Sequence, residues 1–353
     1  MRPESNQRQP NDRKVTRTTK RGETSPGWGA HAFPGSRLQG SGKPERILRV
    51  MSSSQVVPKP ISLFPFSKWN AKTPALARQY GQNNPIPHIL LTDFLEPEVG
   101  RAGAEEFPDP TTDPWTHYQH QNENKLGMAK RQLFPAHLAD ITDELNSPEF
   151  TSWLSELTGI PGLISDPSLE GGGLHQSCRG GFLNVHTDFS HHHYQKNWRR
   201  RINLILYLNQ GWHEEWGGAI ELWDSSMKHR VAKYPPLFNH ALIFNTNERS
   251  FHGFPEPLTC PEDRARKSLA LYYYTVDDDP KHAVRSTNYR ARPEDGLGKS
   301  AMIWLDKQAV ALYSRAKARL GFSDELASKI LASISKKKSP ARRAPSLRHI
   351  TPT

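Results

Sequence analysis

The ten residues from Asn184 to His193, NVHTDFSHHH, hold four histidines and an aspartate. On a β-strand, side chains two apart share a face, so His186 and Asp188 can reach one ion while Thr187 points away. A third ligand must come from another strand. His252, in SFHGFP, is the best placed, because it follows the strand-like HALIFNT after a short turn. Two imidazoles and one carboxylate on one side of a metal leave three positions open. Such a facial set is associated with non-haem Fe(II) that must bind both a co-substrate and dioxygen.

A His-x-Asp pair is weak by itself, since a chain with 16 histidines can produce one by chance. A second feature raises its value. Arg266-x-Ser268 opens the strand-like RKSLALYYYT beyond His252 and places a guanidinium and a hydroxyl on one face, where they can clamp a carboxylate. The competing reading of RARK is a surface basic cluster ahead of a strand. His191, His192 and His193 follow the candidate ligand strand; three adjacent histidines cannot share the geometry of His186 and Asp188, and they are expected in an exposed loop.

These residues need strands to carry them. From Gly171 onward GGFLNVHTD, RINLILYLN, GGAIELWD, HALIFNT and KSLALYYYT are separated by Gly, Pro and polar turns, a spacing that predicts a sandwich or barrel. In the last of them Ser268, Ala270, Tyr272 and Tyr274 alternate with Leu269, Leu271 and Tyr273, the pattern of a strand between two layers. Upstream, a short strand through Ile89–Leu91 precedes a helix from about Pro97 to Glu106. Two more helices follow, with Ser147-Pro148 opening the second and Gly159 closing it. After Asp279 the chain is expected to turn helical again, with Leu305, Ala309, Leu312, Ala316 and Leu320 on one face and a second short helix from Ser323.

The order of these pieces carries a resemblance. From about residue 85 to 276, GGFLNVHTDF, RRRINLILYLNQGW, EWGGAIELWD, ALIFNTNERSFHGFPEPL and RKSLALYYYT succeed one another as in the 2-oxoglutarate- and Fe(II)-dependent oxygenases, and the chain looks closest to the prolyl 4-hydroxylase-like branch. The resemblance implies a mainly β fold with flanking helices, a double-stranded β-helix (jelly-roll or cupin-like barrel). It implies metal ligands at His186, Asp188 and His252, and a partner for the distal carboxylate of 2-oxoglutarate at Arg266, assisted by Ser268. Asn203 falls where related enzymes place a polar co-substrate contact, and a core asparagine bonded to backbone is the alternative there. Many prolyl hydroxylases have a tyrosine where this chain has Asn184, which puts the co-substrate's partners at that position in question. The gap from His252 to Arg266 is longer than usual in the family, making Lys267 the runner-up to Arg266.

The implied cofactors are Fe(II), with 2-oxoglutarate and O₂ as co-substrates and ascorbate as a candidate accessory reductant. The implied reaction is a dioxygenase hydroxylation of an unactivated C–H bond. An aspartate at 188 fills the position that halogenating relatives leave for chloride. The first substrate reading is a prolyl residue of a peptide or protein; a free amino acid or small metabolite is the alternative. A non-catalytic metal-binding barrel is the reading from another class.

Composition limits the rest. Residues 1–50 carry 11 Lys/Arg against 4 Asp/Glu and residues 336–353 carry 6 against none, so the two ends hold more than the whole net charge of +11 and the middle is near neutral. Nucleic acid is therefore expected to make only weak, non-specific contact through basic tails. The expected organisation is a disordered extension over 1–55, a strand and helical layer over 56–170, the barrel over 171–280, C-terminal helices over 281–335 and a basic tail over 336–353. Met51 is read as the start of the functional polypeptide. Two cysteines without CxxC spacing fit a reducing cytoplasmic setting. No apolar run is long enough for a membrane span, no secretory signal is expected, and the oligomeric state has no sequence signature.

Overall fold

The computed structural model describes residues 62–279, 285–306 and 308. The expected disordered extension, the basic tail, and of the helical stripe everything beyond Leu305 lie outside them. Five of the helices among the described residues are α1 (Phe66–Asn70), α2 (Thr73–Gln82), α3 (Pro97–Glu105), α4 (Ala136–Leu145) and α5 (Pro148–Thr158). The strands are β1 (His88–Leu91), β2 (Thr116–His120), β3 (Glu123–Met128), β4 (Ile164–Ser165), β5 (Gly173–Ser177), β6 (Phe182–Thr187), β7 (Trp198–Tyr207), β8 (Ile220–Trp223), β9 (Arg230–Tyr234), β10 (His240–Asn245), β11 (Phe251–Phe254), β12 (Arg266–Val276) and β13 (Asn288–Tyr289).

All the strand pairs are antiparallel, in the order β1-β10-β7-β12-β5-β3-β6-β11-β8-β9, with β2 on β3, β4 on β12 and β13 on β6. Strand β3 pairs β5 through Leu126–Met128 and β6 through Glu123–Asn124, so one strand carries the sheet around the corner. At the two ends of the path, His88 on β1 meets the Tyr234 hydroxyl on β9 at 3.0 Å. The result is the expected squashed antiparallel barrel, closed at that seam by side chains.

Period-2 alternation divides the two faces. On β7, Ile202, Leu204 and Leu206 face outward into a core that also holds Ile243, Leu269, Leu271 and Tyr273 and, from the helices, Trp69, Leu138, Ile141, Phe150, Trp153 and Leu157. The opposite face of the same strands puts Tyr207, Leu242 and Phe244 against Ile220 and Leu222 inside the barrel. Helix α5 is stopped at both ends as its sequence predicts: Ser147 Oγ accepts from the Phe150 N–H at 3.1 Å, and Gly159 adopts φ 69°.

Two expectations change. The hairpin β2–β3 went unread because every residue of β2 is exposed and no apolar alternation marks it. After Asp279 the described chain first forms β13 and a loop and becomes helical only at 297–306, and Leu305 there is exposed. Among the described residues no helix is long and apolar enough to cross a membrane.

Strand β5 enters the barrel at a close approach that only glycine permits. Gly173 has φ +90°, and a Cβ there would lie 2.2 Å from the Met128 carbonyl oxygen. Gly173→Ala should therefore cost more than ~1 kcal/mol of unfolding free energy in urea titration; wild-type stability would show that β3 and β5 can part without loss.

Candidate active site

The triad is assembled by pairing β6 with β11, which sets His252 opposite His186. Their rings lie 4.5 Å apart, and each Nε2 is 3.4 Å from an Asp188 carboxylate oxygen. One potential ligand atom from each residue falls within 4.8 Å of the other two. The imidazoles are held in one tautomer: His186 Nδ1 donates to the Asn184 carbonyl at 2.9 Å and His252 Nδ1 to the Ser250 carbonyl at 3.0 Å. A carbonyl can only accept, so each Nδ1 carries a proton and each Nε2 is the nitrogen turned toward Asp188.

Charge states suit a cation. Burial alone would raise the Asp188 carboxyl, but the Arg200 guanidinium, His252 and His186 hold it well below the usual carboxylate range. Burial pushes His252 down to about 4, more than Asp188 pulls it back. Two imidazole nitrogens and one carboxylate oxygen converge from one side, a donor set that fits Fe(II).

Arg200 is the residue that sequence reasoning missed. Its Nη2 lies 3.0 Å from Asp188 Oδ2, and its Nε and Nη2 donate to Asn203 Oδ1 at 2.9 and 2.7 Å. Asn203 Nδ2 in turn donates to the same Asp188 oxygen at 2.8 Å. Asn203 is thus bonded to the aspartate and to its arginine, and it borders the cavity as well. The guanidinium stacks on Tyr272, 3.4 Å from the ring centroid, and on Phe189 at 4.6 Å. Strand parity hid it: β12 pairs Tyr273 with Ile202 but Tyr274 with Arg200, so Arg201 is bulged out and Arg200 turns inward.

A second bulge corrects the reading of Asn184. Between the pairs His252–His186 and Phe254–Leu183, β6 carries one residue more than β11. Leu183 consequently lines the cavity with His186, whereas Asn184 turns away and donates through Nδ2 to Asn122 Oδ1 at 3.1 Å in the β2–β3 turn. Asn184 holds the hairpin; it does not border the co-substrate space.

The triad opens into a cavity of about 190 Å³ whose walls include Arg266, Ser268, Tyr272, Phe189, Tyr118 and Glu123. Arg266 is buried, with Nε donating to the Gly218 carbonyl at 2.8 Å and Nη2 to the Tyr207 hydroxyl at 3.3 Å. No carboxylate among the described residues pairs with it. A buried cation without a counter-charge, in the same cavity as a metal triad, fits an anionic co-substrate. Ser268 borders the same space. Lys267 is on the other face, 5.5 Å from the Phe107 ring, so strand parity separates the two basic residues as expected.

The expectation for the three following histidines is corrected in part. His192 is buried, with Nδ1 accepting the N–H groups of Tyr194 at 3.1 Å and Gln195 at 3.0 Å, and Nε2 lying 3.4 Å from Asp166. His191 is buried too, bridged to Arg199. Only His193 is exposed. Each organises the loop between β6 and β7, a use of histidine that no spacing reveals, and none belongs to the triad.

Comparison with known proteins agrees with this geometry. Residues 172–274 match the model of the 2OG-Fe(II) oxygenase superfamily. Prolyl 3-hydroxylase OGFOD1 of Mus musculus is 24% identical over 217 residues, covering 58% of this chain and 36% of that protein; the chain thus spans about a third of the relative's length. Among solved structures, a Pseudomonas putida prolyl-4-hydroxylase shares 17% identity, with a TM-score of 0.38 over 57% of this chain and 100% of the other. A Trichoplax adhaerens prolyl hydroxylase, solved with a hypoxia inducible factor peptide fragment, shares 15%, with a TM-score of 0.44 over 59% and 91%. The triad and Arg266 all fall within residues 172–274, the span that is similar to the 2OG-Fe(II) oxygenase superfamily.

Proposed function

We propose that this chain is a 2-oxoglutarate- and Fe(II)-dependent dioxygenase that hydroxylates an unactivated C–H bond of a prolyl residue in a peptide or protein. The carrying observation is the placement of the His186–Asp188–His252 triad and the unpaired Arg266 guanidinium on the walls of one cavity. The prolyl assignment is supported by a relative named as a prolyl 3-hydroxylase and by aromatic walls at Tyr118, Phe189 and Tyr272 suited to an apolar ring.

His186, Asp188 and His252 would hold the iron, which supplies the chemistry that splits 2-oxoglutarate to succinate and CO₂ with O₂ and leaves one oxygen atom in the substrate's new hydroxyl group. The protein's part is orientation. Arg200 and Asn203 both grip Oδ2 of Asp188 and leave Oδ1 to ligate. Arg266, steadied by Gly218 and Tyr207, would pair with the distal carboxylate of 2-oxoglutarate, and Ser268 would add a hydroxyl on the same face. The aromatic walls limit the approach of water to the reacting carbon. A non-catalytic barrel would need neither the open side of the triad nor a cation held ready for an anion. We place the protein in a reducing cytoplasmic compartment, a reading supported by the free thiols of Cys178 and Cys260.

The deciding assay measures succinate formation with Fe(II), 2-oxoglutarate and ascorbate against a proline-containing peptide library, with free amino acids and small metabolites in parallel. Turnover confined to the metabolites would overturn the peptidyl assignment. In that assay His186→Ala and Asp188→Ala should each abolish succinate formation while unfolding remains cooperative; near-normal turnover of either at limiting iron would sink the triad.

Arg266→Ala should raise the KM for 2-oxoglutarate by a factor corresponding to ~2–5 kcal/mol, the range for loss of one partner from a buried charge pair. Lys267→Ala should leave it nearly unchanged, and the opposite ranking would move the clamp to Lys267.

A further inference from the structure

Strand β13 lies beyond residues 172–274, the span shared with the superfamily, yet it delivers a side chain to the metal triad. Its pairing with β6 sets Tyr289 opposite His186, and the Arg290 N–H donates to the Val185 carbonyl at 2.9 Å. The Tyr289 ring consequently packs on the His186 imidazole, with centroids 5.3 Å apart and planes inclined by 38°. On its far side Tyr289 meets the His120 ring edge to face at 6.2 Å, and its hydroxyl lies beside Glu123.

Two paired residues cannot hold a segment in place alone. The anchor is Arg292. Its Nη1 is 3.4 Å from Glu221 Oε2, its Nη2 is 2.9 Å from Asp295 Oδ1 and also reaches Glu256, and its backbone N–H donates to Asp295 Oδ2 at 2.8 Å. Glu221 is buried on β8, the strand beside β11, where it also receives the Trp223 indole N–H at 2.9 Å. The segment is thus pinned to the barrel a few residues from Tyr289.

A metal-binding imidazole needs its plane set as well as its tautomer. The bond from His186 Nδ1 to Asn184 fixes the tautomer, but the torsion between an sp³ and an sp² carbon is broad and a single bond does not lock it. Ring contacts on the faces do. His252 and Tyr289 provide them, at centroid distances of 4.5 and 5.3 Å. We propose that Tyr289, held in place by Arg292, is a positioning residue that keeps Nε2 of His186 aimed at the site shared with Asp188 and His252. The inference rests on His186 being an iron ligand, as proposed above.

Cobalt(II) serves as a visible-spectrum probe that requires no turnover. The full chain and its variants are titrated with Co(II), following the absorption bands, and melting temperatures are recorded for the metal-free proteins. His186→Ala should lose the bands. Tyr289→Leu and Arg292→Gln should each bind Co(II) about tenfold more weakly, the lower end of what supporting residues of a metal site contribute, with shifted bands. Tyr289→Phe, which keeps the ring, should restore both affinity and spectrum. If Tyr289→Leu binds Co(II) as wild type does, or if Tyr289→Phe is as weak as Tyr289→Leu, ring packing does not position His186. A fall in melting temperature with unchanged Co(II) binding would likewise reduce Tyr289 to a structural residue and overturn the proposal. If Arg292→Gln fails to fold, the Tyr289 series decides alone. Retention of the bands by His186→Ala would instead refute the ligand assignment itself, an outcome distinct from failure of the Tyr289 variants.

Discussion

A carboxylate shut inside a barrel must remain ionised to ligate a metal, and the arrangement around Asp188 follows from that constraint. Desolvation works against the charge; Arg200 at 3.0 Å, together with His252 and His186, more than offsets it. The guanidinium then needs an environment of its own, which Tyr272, Phe189 and the Asn203 carbonyl oxygen supply from β12, the β6–β7 loop and β7. Such a buried pair contributes little to folding and is often no better than apolar residues of equal volume. Its use here is chemical: it delivers a charged ligand oxygen at a fixed point between two imidazoles.

That expense is tolerable because the same strands are stabilised from their other side. Ile202, Leu204 and Leu206 alternate with Asn203, Ile205 and Tyr207 along β7, so the residues that face the barrel interior are flanked by residues of the core that α4 and α5 share. Strand β12 repeats the division, with Leu269, Leu271 and Tyr273 outside and Ser268, Ala270 and Tyr272 inside. The helical layer holds the large apolar core, and the interior is released to carry polar groups. Loss of packing on the outer face would therefore disturb the site through strand position without touching any residue that lines it.

Period-2 reasoning paired His186 with Asp188 and Arg266 with Ser268, and the structure places all four on the walls of one cavity with His252. It failed where a strand is bulged. One extra residue in β6 sends Asn184 to the hairpin and Leu183 to the cavity, and another in β7 brings Arg200 inward from a run of three arginines. Nothing in the composition of WRRR distinguishes the inward arginine; the partner strand does. Hairpin β2–β3 left no trace in the sequence because its outer strand has no buried face, and Tyr289 none because its function depends on pairing with a strand about a hundred residues earlier. His192 shows the opposite failure, in which a residue type suited to metals is used to cap the N–H groups of a tight loop.

The two buried arginines of the cavity divide its electrostatics. Arg200 is neutralised within the protein by Asp188, so its field on the remaining space is that of a dipole and falls off quickly. Arg266 is held only by neutral acceptors, the Gly218 carbonyl and the Tyr207 hydroxyl, with the faces of Phe254 and Tyr207 beside it. Burial lowers its pKa, but a guanidinium starts high enough to stay charged. The cavity therefore carries an uncompensated positive charge at one wall and a triad for a cation at another. A dianion able to pair with the first while chelating an ion at the second satisfies both walls at once, and a monoanion satisfies only one. The difference favours a dicarboxylate that carries a chelating group at its opposite end.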